Sequence, residues 1–318
     1  MATVDLTTPP SGPSVRDLLT QVDKRRHRKD RTMRVLIWGA FVLAMIPLVS
    51  VALTVVVHGV QKLDVDFLTH SMRGVFGGAD AGGIYHAIIG TLLITLFATL
   101  ISVPIGLLTA IYLVEYGRGS LARAVTFFVD VMTGIPSIVA GLFAYALFAV
   151  FFGPGVRMGV VGSVALSVLM IPVVVRSSEE MLRLVPNELR EAALALGVPK
   201  WLVVLKVVLR TAVAGIGTGV TIAIARVMGE TAPLLIAVGT IDSINNNLFS
   251  GRMMTLPVYI YSQYQQGLVP CTPGQASCIP TINYDRAWAA ALTLIILVML
   301  LNLIARLITR FFAPKNLG

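Results

Sequence analysis

Charged residues withdraw from six stretches of the chain. Val35–Val57 is an uncharged run of 23 residues. Ala81–Val114, Val131–Val156 and Met158–Val175 follow, then Thr211–Ile241, interrupted only by Arg226 and Glu230, and finally Ala287–Ala305. A helix needs about 20 apolar residues to cross some 30 Å of hydrocarbon, so each run predicts one membrane span. With their ends adjusted by a few residues, the spans are expected over 35–57, 86–114, 127–152, 156–176, 208–238 and 287–310. The fold class is therefore an all-α integral membrane protein with six transmembrane helices, residues 33–312 forming one domain. A polar and basic tail precedes it over 1–32, where a short amphipathic helix is expected near Val15–Val22, and a tail of 313–318 follows. Gly153-Pro154-Gly155 predicts a tight turn between the third and fourth spans.

The distribution of positive charge orients these spans. Nineteen of the 25 Lys and Arg residues lie before span one, between spans two and three, between spans four and five, or after span six. Five lie in the alternate loops, and Arg226 is inside a span. Basic loops stay on the cytoplasmic side, so both termini are expected there, with 242–286 as a long outer loop. The net charge of +9 is thus a topology signal and a contact for lipid headgroups of the bilayer, not a sign of nucleic acid. Composition agrees: charged residues are only 13% and mean hydropathy is +0.83, which excludes a disordered chain, a disulfide scaffold and an ordinary soluble enzyme. The first run is too long for the core of a signal peptide and no small-residue cleavage site follows it, so it reads as an uncleaved anchor.

Little catalytic chemistry is visible. There is no Gly-Lys dipeptide for a phosphate-cradling loop, no HExxH and no GxSxG, and the four His residues lack metal-ligand spacing. Gly215, Gly217 and Gly219 follow no strand and read as close helix packing. No metal and no cofactor are expected on this chain; if ATP is used, ATP and magnesium belong to another polypeptide. Cys271 and Cys278 fall in the outer loop, where a disulfide or two free thiols are both open.

Two features carry the functional reading. The first is the polar stretch 186–201. Pro186 and Asn187 can start a helix, Glu188 and Glu191 suit its first turns, Gly197 suits its C-terminal cap, and Pro199 with Trp201 starts another. A helix, a sharp turn and a second helix make a compact knob outside the bilayer. The second is charge inside the membrane. Arg226 and Glu230 are four apart and Arg176 and Glu179 three apart, so each pair is expected on one helix face. Such pairs either brace the bundle or place an Arg for an anionic solute, since buried charges usually face a cavity. Asp130 reads as interfacial and takes no role.

Glu191-Ala192-Ala193, followed after three residues by Gly197, resembles the EAA loop of ABC importer permeases. The pattern continues through Val207 and Leu209, with Arg210 where that family usually has Pro. Gly134-Ile135-Pro136-Ser137-Ile138-Val139-Ala140-Gly141 resembles the phosphate-specific transport (Pst) permeases. So do Ile171-Pro172 with Arg176-Ser177-Ser178-Glu179, and Thr255-Leu256-Pro257-Val258-Tyr259-Ile260-Tyr261. Gly229-Glu230-Thr231-Ala232-Pro233-Leu234-Leu235 is similar to the A-type subunit more than to its C-type partner.

The resemblance covers about residues 80–310 and implies a type I importer permease, a non-catalytic transport subunit of the bacterial cytoplasmic membrane. It implies a second, C-type permease subunit completing the pathway, a dimeric ATPase gripping Glu191, Ala192, Ala193 and Gly197, and an extracytoplasmic phosphate-binding protein. Arg226, Glu230, Arg176 and Glu179 are then expected along the phosphate path, where the fixed fork of an Arg suits an oxyanion and a nearby Glu keeps binding escapable. The rival readings are an importer of another oxyanion or small nutrient, and an ATP-independent transporter or channel.

Overall fold

The computed structural model describes residues 24–271 and 278–312, with side chains over 26–271 and 278–309. Val15–Val22 and the tail 313–318 lie outside the described residues. Among the described residues regular structure is helical, save one isolated bridge between Ala79 and Cys278. We number the helices α1 (Lys24–Lys62), α2 (Val65–Thr69), α3 (Tyr85–Ile111), α4 (Gly119–Thr133), α5 (Ser137–Phe152) and α6 (Gly159–Arg183). Then come α7 (Asn187–Ala195), α8 (Lys200–Val203), α9 (Leu209–Met228), α10 (Ala232–Ala237), α11 (Leu256–Gln266) and α12 (Ile282–Phe312). Single π-helical turns, Tyr112–Tyr116 and Val204–Val208, prolong α3 and join α8 to α9.

Two compact units are distinguished, residues 1–54 and 55–318. Of the first, the described part is the helix of α1 from Lys24, whose apolar side chains, Ile37, Trp38, Phe41 and Leu43 among them, are exposed. In water such a surface would be untenable; in hydrocarbon it needs no cover.

The second unit is built around α6. This helix packs against α3, α4, α5, α9 and α10. Its closest partner is α3, and the sequence explains why. Gly90, Ile94, Ala98, Ser102, Gly106 and Ala110 recur every four residues on α3 and are all buried. This mostly small stripe lets α6 approach until Ser163 and Ser167 hydroxyls donate to the carbonyls of Ile94 (3.1 Å) and Ala98 (3.4 Å) of the facing helix. A Cβ on Gly106 would stand 2.7 Å from Val174 Cγ1. The same device holds α9: Gly215, Gly217 and Gly219 lie directly on Met181, Thr309 and Ser177, as expected of packing glycines.

Five described helical stretches are long and apolar enough to cross a membrane: Arg26–Lys62, Tyr85–Tyr116, Gly159–Arg183, Lys200–Met228 and Ile282–Thr309. The span expected over 127–152 is not one helix. Here α4 and α5 meet at 109°, broken at Gly134-Ile135-Pro136. Pro136 can neither donate a backbone hydrogen bond nor leave Ile135 helical, so an apolar run that reads as one span is two helices. The fifth span also ends early. Gly229 caps α9, and a separate short helix begins at Ala232 with Pro233 in its first turn. The outer loop expected over 242–286 contains α11 and the first turn of α12. At Arg210 the helix continues unbroken, the local departure from α geometry falling just before it at Val204–Val208.

Cys271 and Cys278 form a disulfide with Cα atoms 5.8 Å apart. Buried Arg286, in the first turns of α12, donates to the carbonyls of Ala79 (2.7 Å) and Ala81 (2.8 Å), and Lys62 pairs with Asp80.

Candidate substrate path and coupling surface

Arg176 lies two turns before the end of α6, where helical spacing puts Glu179 and Arg183 on the same face. Its Nη1 donates to Glu179 Oε2 at 2.8 Å, and its Nη2 reaches across to Asp130 of α4. Glu179 Oε1 accepts a second bond, 2.7 Å, from Arg183 Nη2. Glu179 is the buried centre of this chain of charges, its side chain 8% exposed, while Arg176 is one-third exposed. Burial leaves a carboxylate costly unless paired, and Glu179 has two guanidinium partners. Asp130, Glu179 and Arg183, but not Arg176, line a cleft of 430 Å³ together with Leu113, Arg123, Thr126 and Phe127. Asp130 thus has a partner that its interfacial place in the sequence did not reveal. Arg183 obeys the same four-residue spacing that picked out the other pairs and could have been found by it.

Arg226 and Glu230 are not brought together as expected. Arg226 is in the last turn of α9, whereas Glu230 follows Gly229 and is outside the helix, so the four-residue rule no longer applies. Among the described residues no ion pair is formed by either. Arg226 is exposed, in register with exposed Thr211, Thr218 and Ile222 along one face of α9. The threonine hydroxyls donate back to Val207 and Ala214 carbonyls, 2.8 and 3.0 Å, leaving the face weakly polar.

The two arginines stand at different depths. Gly219 is level with Ser177 and Gly215 with Met181, so α9 and α6 run antiparallel. Arg226 is seven residues beyond Gly219, about 10 Å further along the bundle at 1.5 Å per residue. One is saturated by carboxylates, the other carries none.

The knob expected over 186–201 is α7, a turn and α8. Pro186 precedes α7, and Gly197 takes a left-handed φ of +78° after it. The Gly197 and Val198 amides return to Leu194 (2.9 Å) and Ala193 (3.3 Å), a Schellman closure that only the glycine conformation permits cheaply. Glu191, Ala192 and Gly197 are exposed and Ala193 half-buried. Exposed Leu189, Leu194, Leu196 and Trp201 surround them.

A profile of the family "binding-protein-dependent transport system inner membrane component" matches residues 102–317. The phosphate transport system permease protein PstA 1 of Mycobacterium tuberculosis (strain CDC 1551 / Oshkosh) is 46% identical over 293 residues, 92% of each chain. The chain belongs to this permease family. PstA of Mycobacterium leprae (strain TN) is 44% identical over 300 residues, 94% of each chain, and PstA of Pasteurella multocida (strain Pm70) 38% over 299, 92% of this chain and 97% of that one. Solved structures share the fold. A chain of the MetNI methionine ABC transporter in an inward-facing conformation gives a TM-score of 0.52 at 24% identity, covering 73% of this chain and 95% of that one. A chain of a bacterial alginate ABC transporter gives 0.61 at 13%, covering 92% and 99%. The permease is accordingly an inner-membrane, multi-pass transport subunit and not an enzyme, with the type I ABC importer fold.

Proposed function

We propose that the permease is the A-type membrane subunit of an ATP-driven importer of inorganic phosphate and forms half of its translocation pathway. The observation that carries this reading is the identity to PstA permeases over nine-tenths of the chain. A second, C-type permease subunit supplies the other half, against the face of α9 that bears Arg226. The bias of basic residues toward alternate loops supports a cytoplasmic position for both termini and α7–α8. There a dimeric ATPase, carrying ATP and magnesium, grips Glu191, Ala192, Ala193 and Gly197 within the exposed apolar rim of Leu194, Leu196 and Trp201. A phosphate-loaded binding protein docks on the opposite side, around α11 and the disulfide.

Arg226 is the first choice for the phosphate contact, because its guanidinium is uncommitted and its fork matches two oxyanion oxygens. Glu230, just past the helix, moderates that attraction. Arg176 and Glu179 form a later station nearer the cytoplasm, where Asp130 competes with the anion for Arg176. Two weak stations in series let the ion move on, as conduction requires. ATP binding draws the α7 knobs together and turns the pathway outward; hydrolysis returns it.

The assembled transporter in proteoliposomes, supplied with ATP and binding protein, tests this. Labelled phosphate should accumulate and excess unlabelled phosphate, but not sulfate, should compete. Accumulation of sulfate or another solute instead would refute the substrate, and accumulation without ATP would refute the importer class.

A further inference from the structure

Arg190, one residue before the Glu191-Ala192-Ala193 run, turns inward while its neighbours Leu189 and Glu191 face out. Its guanidinium is spread over three elements. Nε donates to Glu115 Oε1 (3.0 Å) in the π-turn that ends α3. Nη2 donates to the carbonyl of Leu182 (2.8 Å) in the last turn of α6, and Nη1 to the carbonyl of Val185 (2.5 Å) just after it and to Asn187 Oδ1 (3.1 Å) at the start of α7. The two carbonyls belong to the end of α6, where helices leave acceptors without partners and where a positive charge is favoured. The side chains of Arg190 and Glu115 are 15% and 8% exposed. Lys200 of α8 binds the Glu115 carbonyl and lies 4.7 Å over the Tyr116 ring, so both knob helices converge on the same π-turn.

This arrangement matters because α7 is otherwise poorly held. It has nine residues, none of them fully buried, and only Ala193 joins the apolar cluster of Leu182, Val185 and Val203. The covalent link from α6 is Leu184-Val185-Pro186, a natural hinge. A push on α7 could be absorbed there.

We propose that Arg190 is the positioning residue of coupling: it locks α7 to the end of α6 and to Glu115, so that displacement of α7 is delivered to α6 as a rigid body. The cargo of that displacement is the Arg176–Glu179–Asp130 station, two turns further along the same helix. Lys in its place keeps the charge but cannot reach three elements with one planar fork. The proposal rests on the reading that α7 receives the ATPase.

Spin labels on Ala195→Cys and Glu180→Cys, both exposed, measure α7 against α6 in the reconstituted transporter. The distance should stay the same between the nucleotide-free and the vanadate-trapped states. With Arg190→Gln it should broaden, and phosphate moved per ATP should fall by about tenfold, the weight of a charged hydrogen bond. The concentration of phosphate-loaded binding protein giving half-maximal ATPase should not change, which loss of fold would alter. Arg190→Lys should be intermediate. A shift of the unmutated distance on trapping, larger than the label's own spread, overturns the proposal whether or not the variants fold, and so does Arg190→Gln with an unaltered phosphate-to-ATP ratio. Co-purification of the ATPase with the otherwise unmutated chain is scored first. Its failure overturns the coupling reading along with this one, whereas retention with an unaltered ratio in Arg190→Gln overturns this one alone.

Discussion

Gly219 of α9 lies so close to Ser177 of α6 that a Cβ on the glycine would stand 2.6 Å from the serine Cβ and 2.5 Å from its Oγ. This contact sets the axial register of the two helices, and therefore the spacing of Arg226 from Arg176.

Adding a methyl at Gly219 should force the helices apart. Gly219→Ala is expected to destabilise the detergent-purified chain by about 1–3 kcal/mol, the usual cost of overpacking. Ser177→Gly removes the atoms in the way and should restore most of it, since the serine Cα is at an ordinary 3.8 Å. Thermal unfolding of the two single variants and the double variant checks this: a double variant no better than Gly219→Ala would refute the contact.

Glu179 holds two arginines from a buried position, so its neutralisation should matter more than that of exposed Asp130. Glu179→Gln is expected to cost about 1.5–3 kcal/mol in stability, as for charge-assisted hydrogen bonds. Asp130→Asn should leave stability nearly unchanged, because exposed ion pairs contribute little. It should instead raise the retention of phosphate at the Arg176 station and slow turnover at saturating substrate. Unfolding midpoints and single-turnover uptake separate the two effects.

The Cys271–Cys278 bridge closes a short loop and, by chain entropy, should contribute about 2.5 kcal/mol. A maleimide should label neither thiol before reduction and both after it. Cys271→Ser with Cys278→Ser should lower the unfolding midpoint and weaken stimulation by the binding protein, without changing ATPase retention.

Much of this was legible in the residues. Hydropathy marked the five helices long and apolar enough to cross a membrane, and Pro186, Gly197 and Pro199 located both knob helices, because capping chemistry is local. The break inside the third span was not found: apolar residues continue on both sides of Gly134-Ile135-Pro136, and a hydropathy window cannot see a bend. Pairing Arg226 with Glu230 assumed a helix that Gly229 ends. Asp130 and Arg176 are 46 residues apart, and Glu115 and Arg190 are 75 apart; no periodicity connects such positions, since only the packing of α3, α4 and α6 brings them together.

The most direct test of the pathway is ATP-driven uptake of labelled phosphate by the full transporter carrying Arg226→Gln. Uptake should fall by about tenfold or more, as loss of a bidentate oxyanion contact implies, while the ATPase and the partner permease remain bound. Undiminished uptake in that variant would contradict it, making Arg226 a bystander on the open face of α9.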